Sequence, residues 1–362
     1  MNRYYYYSIM MCMLINTILY VPSILIMHRH DGPVPSMLCA VLISTTLTAL
    51  FTKAMMAFNG QGLPEVFAQR LSPFFGMPVL LFLAVMWFIS GMIVVTSYAI
   101  IMTQYMLPEL SPVWLAAFFM IIICWCASQS TKTVLYLMEI VLLVNVPLVL
   151  IILFKAVTSE YMNWYAVWNI ATDSMFKLPN IHSISAASYV FTGYINIVIF
   201  NRELTSKLSL RHLWFIPILG IGVLAVTFFI PIGIHGTEGV ERYVYVWVST
   251  ADAFHMEYGF VERMVYVYLL LFLNLSLLFT TVVWHIGYQL IKGFVPKKIK
   301  LRPGIRPIIV FGIVGIVTEV LFQLMDEKTI TYAAWSWLNV RLWSEIFLVL
   351  LVYVLSLKGK PL

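Results

Sequence analysis

Polar and helix-weakening residues interrupt the first and sixth apolar runs of this chain. Asn16, Thr17 and Pro22 lie in the first run, and Thr192-Gly193-Tyr194 lies in the sixth. An interrupted membrane helix leaves backbone N–H and C=O groups without partners, and a small ligand can supply them. Because a half-helix also carries a partial positive charge at its N-terminus, a solute with a carboxylate, such as an amino acid, fits the two interruptions.

Each interruption has its own chemistry. Gly193 permits close backbone approach, and Thr192 and Tyr194 can add side-chain hydrogen bonds. Asn16 and Thr17 are expected to play the matching role in the first run. The alternative interpretation is two kinked but continuous helices whose polar groups bond internally.

Four charged residues form a second group of candidates, because ionisable groups are costly in lipid and face the protein interior. Glu139 and Glu319 lie inside apolar runs, and either a structural hydrogen bond or the handling of a coupling proton fits them. Glu262 and Arg263 open the eighth run and, as neighbours on a helix, diverge by about 100°. They are expected to pair with other spans, with Arg341 and Glu345 as partners, or to contact a ligand.

Small and hydroxyl residues in two further runs are candidates for the facing walls of the site. Ser90-Gly91 lies in the third run, and Asn274 lies in the eighth. Such residues also permit close helix packing and interhelical hydrogen bonds, which is the alternative interpretation.

The elements that must position these residues are membrane helices. The 362 residues are 62% hydrophobic and 10% charged, against about 45–50% apolar residues in soluble domains. A membrane helix needs about 20 apolar residues, and the runs are too continuous for barrel strands. The prediction is an all-α polytopic membrane protein with ten spans, at about 4–27, 36–57, 77–106, 112–128, 133–157, 183–202, 210–234, 258–292, 305–325 and 336–357.

Lys and Arg are concentrated on one side of the predicted spans. The densest cluster, between residues 292 and 306, follows the eighth span. This asymmetry predicts that both termini lie on the cytoplasmic side.

Two loops have patterns of their own. Residues 60–75 predict a short amphipathic helix beginning near Pro64, with Val66, Phe67 and Leu71 against the membrane surface. Residues 235–257 form the longest outer loop, as either a lid or a connector.

Enzyme, metal and nucleic-acid motifs are missing from the sequence. There is no glycine-rich phosphate loop, zinc-protease motif or nucleophile elbow. The four cysteines sit in apolar runs, where free cysteine packs as a small hydrophobe. We therefore expect no enzyme activity, cofactor or metal, and no nucleic-acid partner.

Several short motifs in a fixed order resemble one membrane family. They are Met106-Leu-Pro-Glu-Leu-Ser-Pro-Val-Trp114, Glu139-Ile with Asn145-Val-Pro147, Phe191-Thr-Gly-Tyr194 and Val261-Glu-Arg263. In order and spacing they are similar to the spore germination permeases, the B subunits of nutrient germinant receptors, which are related to the amino acid–polyamine–organocation carriers.

The resemblance implies a single permease-like domain over residues 1–362, built as a LeuT-type 5+5 inverted repeat (about 4–157 and 183–357) with broken first and sixth helices. It implies an integral protein of the spore inner membrane, a bound nutrient germinant such as an amino acid, and two partners, a larger A-type membrane subunit and a C-type lipoprotein. It places the pocket at Asn16, Thr17, Tyr20, Thr192 and Gly193, with facing residues in spans three and eight. Relatives usually carry a small residue in the first break, and Asn16-Thr17-Ile18-Leu19 has none.

Two other functions fit the same sequence. One is a proton-coupled amino acid transporter in which Glu139 or Glu319 handles the proton. The other is a structural or ion-conducting component with a vestigial pocket.

Overall fold

The chain is helical throughout the parts that the structure describes. The computed structural model describes residues 3–204, 213–254, 263–294 and 305–357. Short 3₁₀ turns at Thr192–Asn196, Asn201–Glu203 and Gly239–Arg242 accompany the α-helices. In chain order the α-helices are α1 (Arg3–Asn16), α2 (Tyr20–Met27), α3 (Pro33–Met56), α4 (Leu63–Arg70), α5 (Pro73–Tyr105), α6 (Pro112–Ala127), α7 (Thr131–Val157), α8 (Trp164–Met175), α9 (Ile181–Tyr189), α10 (Ile197–Phe200), α11 (Phe215–His235), α12 (Val246–Asp252), α13 (Met264–Phe294), α14 (Ile305–Leu324) and α15 (Glu327–Leu357).

Seven of these helices are long and apolar enough to cross a membrane, namely α3, α5, α7, α11, α13, α14 and α15. The number rises to nine in the described residues if two bent pairs are each counted as one span. The remaining predicted span corresponds to α6, which at 16 residues is shorter than the roughly 20 residues that a span requires. The fold is therefore that of a multi-pass integral membrane protein.

The outer surface of the bundle agrees with this assignment. Large apolar side chains such as Leu42, Ile121, Phe154 and Ile308 are about 70% exposed, on four different helices. Soluble proteins rarely expose contiguous apolar surface on this scale. Lipid is the solvent that accepts it.

Both predicted breaks are present. The axes of α1 and α2 differ by 54°, with residues 17–19 between them, and Ile181–Tyr189 makes an angle of 55° with the segment Thr192–Glu203. Pro22 favours the first break without a glycine, because its ring would clash with the carbonyl of Ile18 in an undistorted helix. We call these the first break (residues 17–19) and the second break (residues 190–196).

Helices α5 and α13 form the centre of the bundle and pack closely along their length. A Cβ on Gly91 of α5 would lie 2.3 Å from Nε1 of Trp284 on α13, and a Cβ on Gly287 would lie 3.0 Å from the ring of Phe88. Small residues at a helix interface allow such close approach. Gly91 therefore lies at the packing interface of α5 and α13, as the alternative interpretation of this residue predicts.

The tenth span begins earlier than the sequence pattern predicts. The side chain of Asp326 accepts a hydrogen bond from the backbone N–H of Thr329 at 2.9 Å, which caps α15 at its N-terminus. A hydrogen bond from the Thr329 side chain, together with this backbone bond, holds the pKa of Asp326 below its usual value. Since α15 begins at Glu327 rather than at 336, Arg341 and Glu345 lie in its middle instead of near its start.

Helix α4 forms where expected but lies against protein rather than the membrane surface. Leu63, Val66 and Phe67 are at most 1% exposed, and Pro64 lies against Gly293 of α13. The apolar face of α4 is thus part of the core.

The two ends of the bundle are distinguished by their loops. The end with the turn at residues 28–32 also carries α8 and α12, and we call it the His28 end. The opposite end, with the start of α1 and helix α4, is the Arg3 end.

Candidate functional site

The two breaks meet at the centre of the bundle. The side-chain amide of Asn16, at the end of α1, donates hydrogen bonds to the backbone oxygens of Cys12 (2.8 Å) and Tyr189 (3.3 Å). Tyr189 is the last residue of α9, so this one amide joins the end of each half-helix. Asn16 therefore fixes the two breaks relative to one another.

Gly193 brings the second break directly against α1. A Cβ at this position would lie 2.2 Å from the backbone oxygen of Ser8 and 2.5 Å from the Cα of Ile9. The Ser8 hydroxyl donates to the Gly193 carbonyl at 2.9 Å and accepts from the Asn196 amide at 2.8 Å. Glycine is required here by close approach, since its φ is not among the positive values of the described chain.

A buried ion pair of α15 lies beside the second break. Arg341 and Glu345, 5% and 3% exposed, bond to each other one helical turn apart. Nη1 of Arg341 also donates to the hydroxyl of Thr192 at 2.9 Å, and the hydroxyl of Tyr194 donates to Glu345 at 2.5 Å. Thr192 and Tyr194 thus hold the ion pair, as well as marking the break.

Arg341 also ties the pair to α9. Its Nη2 donates to the backbone oxygen of Ser185 at 2.5 Å and to the hydroxyl of Ser188 at 2.8 Å. Its guanidinium carbon lies 5.0 Å from the ring centre of Tyr189, a cation–π distance. This arrangement compensates much of the cost of burying the charge.

A cavity of about 60 Å³ lies between these elements, and we call it the central cavity. One water requires only about 10–15 Å³, so there is room for a small solute. Residues of α1, α5, the second break, α13 and α15 line it, including Cys12, Ser90, Thr192, Phe279, Trp337 and Glu345. Its wall is apolar except where α15 and the second break face it.

Two residues that line this cavity carry buried N–H donors without partners in the described chain. Nε of Arg341 and Nε1 of Trp337 have no hydrogen-bond acceptor within the described parts of the chain, and both residues line the cavity. Buried donors are rarely left unpaired, because the loss costs about 1–3 kcal/mol each. An acceptor such as a carboxylate oxygen would satisfy either donor where it comes within hydrogen-bond distance.

The other predicted pocket residues lie around the cavity in different roles. Ser90 lines it and shares a 2.8 Å hydrogen bond with the hydroxyl of Tyr189. Tyr20 lies nearer the His28 end and shares a 2.5 Å bond with Ser97. Thr17 donates to the backbone oxygen of Leu14 and faces a different cavity, and Asn274 is half-buried on α13 without lining the central cavity.

The predicted charged residues lie away from the cavity. Glu139 accepts from the hydroxyl of Tyr4 at 2.9 Å and lies 3.0 Å from Arg3, at the Arg3 end. Glu319 lies on the peripheral helix α14, with one carboxylate oxygen lacking a partner in the described ranges. Arg263 is exposed at the start of α13, so the expected pairing with Glu345 is wrong; Glu262 lies outside the described residues.

Ion pairs hold the outer ends of the two broken helix pairs, one at each end of the bundle. At the His28 end, Arg29, only 4% exposed, lies 2.6 Å from Glu241 and 3.3 Å from Glu238, beside α12. At the Arg3 end, Arg202 from the second broken pair donates to Glu65 of α4 at 2.7 Å. The loop before α12 is therefore held against the end of α2, which fits both the lid and the connector interpretations.

The sequence prediction did not include Trp337, Ser8 or Asn196, and it named Arg341 and Glu345 only as partners of Glu262 and Arg263. Trp337, Arg341 and Glu345 are spaced four residues apart and therefore share one face of α15. That spacing was visible in the sequence, whereas the contacts of Ser8 and Asn196 depend on the tertiary fold. Comparison with known proteins gives no match, either to a protein-family model or to a curated sequence.

Proposed function

We propose that this protein is the nutrient-binding permease subunit of a spore germinant receptor, and that its ligand is a small amino acid. The observation that carries the proposal is the meeting of two helix breaks at a cavity with two unpartnered N–H donors. The donors of Arg341 and Trp337 suit a carboxylate, Glu345 suits an ammonium group, and Phe279 and Leu83 suit a short apolar side chain.

A ten-span inverted repeat is part of this proposal. Each half of the chain begins with a broken pair bent by a similar angle, 54° and 55°. Each half continues to a third helix of more than thirty residues, α5 with 33 and α13 with 31. These parallels support repeats at about 4–157 and 183–357, with α6 as the fourth span of the first repeat.

In this proposal the protein signals by a shift between two conformations. The amino acid binds one conformation better than the other, and the A-type membrane subunit and C-type lipoprotein respond to the change in population. The protein then lies in the spore inner membrane with both termini on the side rich in Lys and Arg.

The first test is a binding titration with a matched pair of variants. Purified full-length protein is titrated with a panel of amino acids, sugars and nucleosides, together with Glu345→Gln and Glu319→Gln. We expect saturable binding of one or a few small amino acids, at least about tenfold weaker in Glu345→Gln because a charge-assisted contact is lost, and unchanged in Glu319→Gln. Equal binding by both variants, or binding of sugars or nucleosides alone, would contradict the proposal.

A second candidate function is a proton-coupled amino acid transporter. The ion pairs at both ends favour it, because a carrier opens such contacts alternately. Proton-driven accumulation in proteoliposomes that is lost in Glu139→Gln would establish transport. Binding without accumulation would support the receptor.

A further inference from the structure

A second cavity, which we call the lateral groove, lies between α1, α7, α11 and α13. Its volume is about 400 Å³, several times that of the central cavity. Among its lining residues, Leu150 of α7 and Ile218 of α11 are 59% and 58% exposed. The groove therefore reaches the lipid-facing surface of the bundle.

The wall of the groove is apolar except for Thr17, Trp247 and Tyr268. The hydroxyl of Thr17 is already committed to the backbone oxygen of Leu14 at 2.6 Å, and the indole N–H of Trp247 donates to Thr227 at 3.3 Å. The hydroxyl of Tyr268 is different, because it has no hydrogen-bond partner in the described chain although the residue is only 5% exposed. Tyr268 thus lines a mostly apolar groove and carries a buried hydroxyl without a partner in the described chain.

The two ends of the groove differ in polarity, with the Tyr268 hydroxyl near one end. Tyr268 lies one turn into α13 and stacks on Trp247 of α12, with ring centres 6.5 Å apart, at the His28 end. The opposite end of the groove, with Met10 and Phe215, is entirely apolar. A bilayer lipid has the same gradient, with ester oxygens at the interface and hydrocarbon below.

We propose that the lateral groove holds one acyl chain of a bilayer lipid, with the Tyr268 hydroxyl donating to an ester oxygen at its polar end. The groove is continuous with the lipid-facing surface, so a chain enters it sideways without crossing polar protein. Its inner wall includes Thr17 and Ile18 of the first break. A bound chain therefore contacts the hinge between α1 and α2, which goes beyond the proposed nutrient site.

Photolabelling with a lipid probe tests this proposal. The full-length protein is reconstituted in vesicles of phosphatidylethanolamine and phosphatidylglycerol that contain a trace of phosphatidylglycerol with a diazirine in one acyl chain. After illumination, labelled residues are mapped by peptide mass spectrometry. We expect groove residues such as Val149 and Val226 to be labelled several-fold more than Ile309 and Ile313 on the lipid-facing helix α14.

Two glycines provide a matched pair of variants. An added Cβ meets nothing within 4 Å at Gly222, which lines the groove, or at Gly312 on α14. Gly222→Trp fills the groove and should reduce its labelling to the level of α14, whereas Gly312→Trp should leave groove labelling unchanged. Tyr268→Phe should reduce it about fivefold, the value of one net hydrogen bond.

Three results would overturn the proposal. They are groove labelling no stronger than that of α14, groove labelling that persists in Gly222→Trp, and a groove left unlabelled while α14 is labelled.

Discussion

At the scale of single residues, the site depends on a few side chains that each bond to more than one element. Asn16 joins the ends of α1 and α9, and Arg341 joins α15 to both α9 and the second break. Such bonds are costly to lose, because the groups left behind are buried and far from water. Substitutions at these positions should therefore affect ligand binding and stability together.

Gly193 provides the sharpest steric prediction. Gly193→Ala forces a methyl group against the backbone of Ser8 and Ile9, and neither backbone can move independently. We expect a loss of about 1–3 kcal/mol of stability, seen as a lower midpoint in thermal unfolding of the detergent-solubilised protein. Gly312→Ala, with no atom within 4 Å of the new Cβ, is the matched control, and equal midpoints for the two variants would contradict the assignment.

Variants of the Arg341–Glu345 ion pair can separate its contribution to stability from its contribution to amino-acid binding. Glu345→Gln leaves Arg341 buried without its counterion and should cost about 3–5 kcal/mol. The double variant Arg341→Met with Glu345→Leu removes both charges and should recover most of that stability, without recovering amino-acid binding. Recovery of binding in the stable double variant would show that the pair is structural only.

At the scale of elements, the helix breaks could be predicted from the local sequence, whereas the residues of α15 that lie beside them could not. Pro22 weakens a continuous first helix, and together with Asn16 and Thr17 it allowed an interruption to be predicted there from the sequence. Proline alone does not decide the matter, because Pro78, Pro147 and Pro231 lie inside continuous helices. The position of Glu345 could not be predicted, because the cap at Asp326 moves the start of α15 by nine residues relative to the apolar run. The lack of hydrogen-bond partners for the N–H groups of Trp337 and Arg341 in the described chain could not be predicted either, because it depends on the tertiary fold.

The contacts of Arg29 at the His28 end lead to a prediction about access to the central cavity. Arg29→Gln removes the contacts to Glu238 and Glu241, which should loosen the segment before α12. Cys12 lines the central cavity and is 3% exposed. In a background with Cys39, Cys124 and Cys126 replaced by Ser, we expect faster reaction of Cys12 with methyl methanethiosulfonate.

The control for this experiment is Lys177→Gln. It removes an exposed ion pair with Asp173 at the same end of the bundle, and such pairs contribute little to stability. The account requires Cys12 reactivity to stay at its original rate in this control. An Arg29→Gln variant that is no faster than the control would show that the Arg29 contacts do not restrict access.

At the scale of the whole molecule, the number of spans decides where the termini lie. If α6 crosses the membrane, the ten spans place both termini on one side; if it does not, nine spans place them on opposite sides. We expect reporter fusions at both termini to be cytoplasmic, and fusions after Glu109 and after Gln129 to lie on opposite sides of the membrane. Reporters at 109 and 129 on the same side would remove α6 from the span count and contradict the inverted repeat.

The central claim, that a small amino acid occupies the cavity at the two breaks, is tested most directly by ligand protection of Cys12. In the variant that retains Cys12 as its one cysteine, an amino acid found in the binding panel should slow alkylation, with half-maximal protection at its dissociation constant. A second variant that retains only Cys39 should show no protection. Saturable binding that leaves Cys12 alkylation unchanged would place the ligand elsewhere and contradict the account.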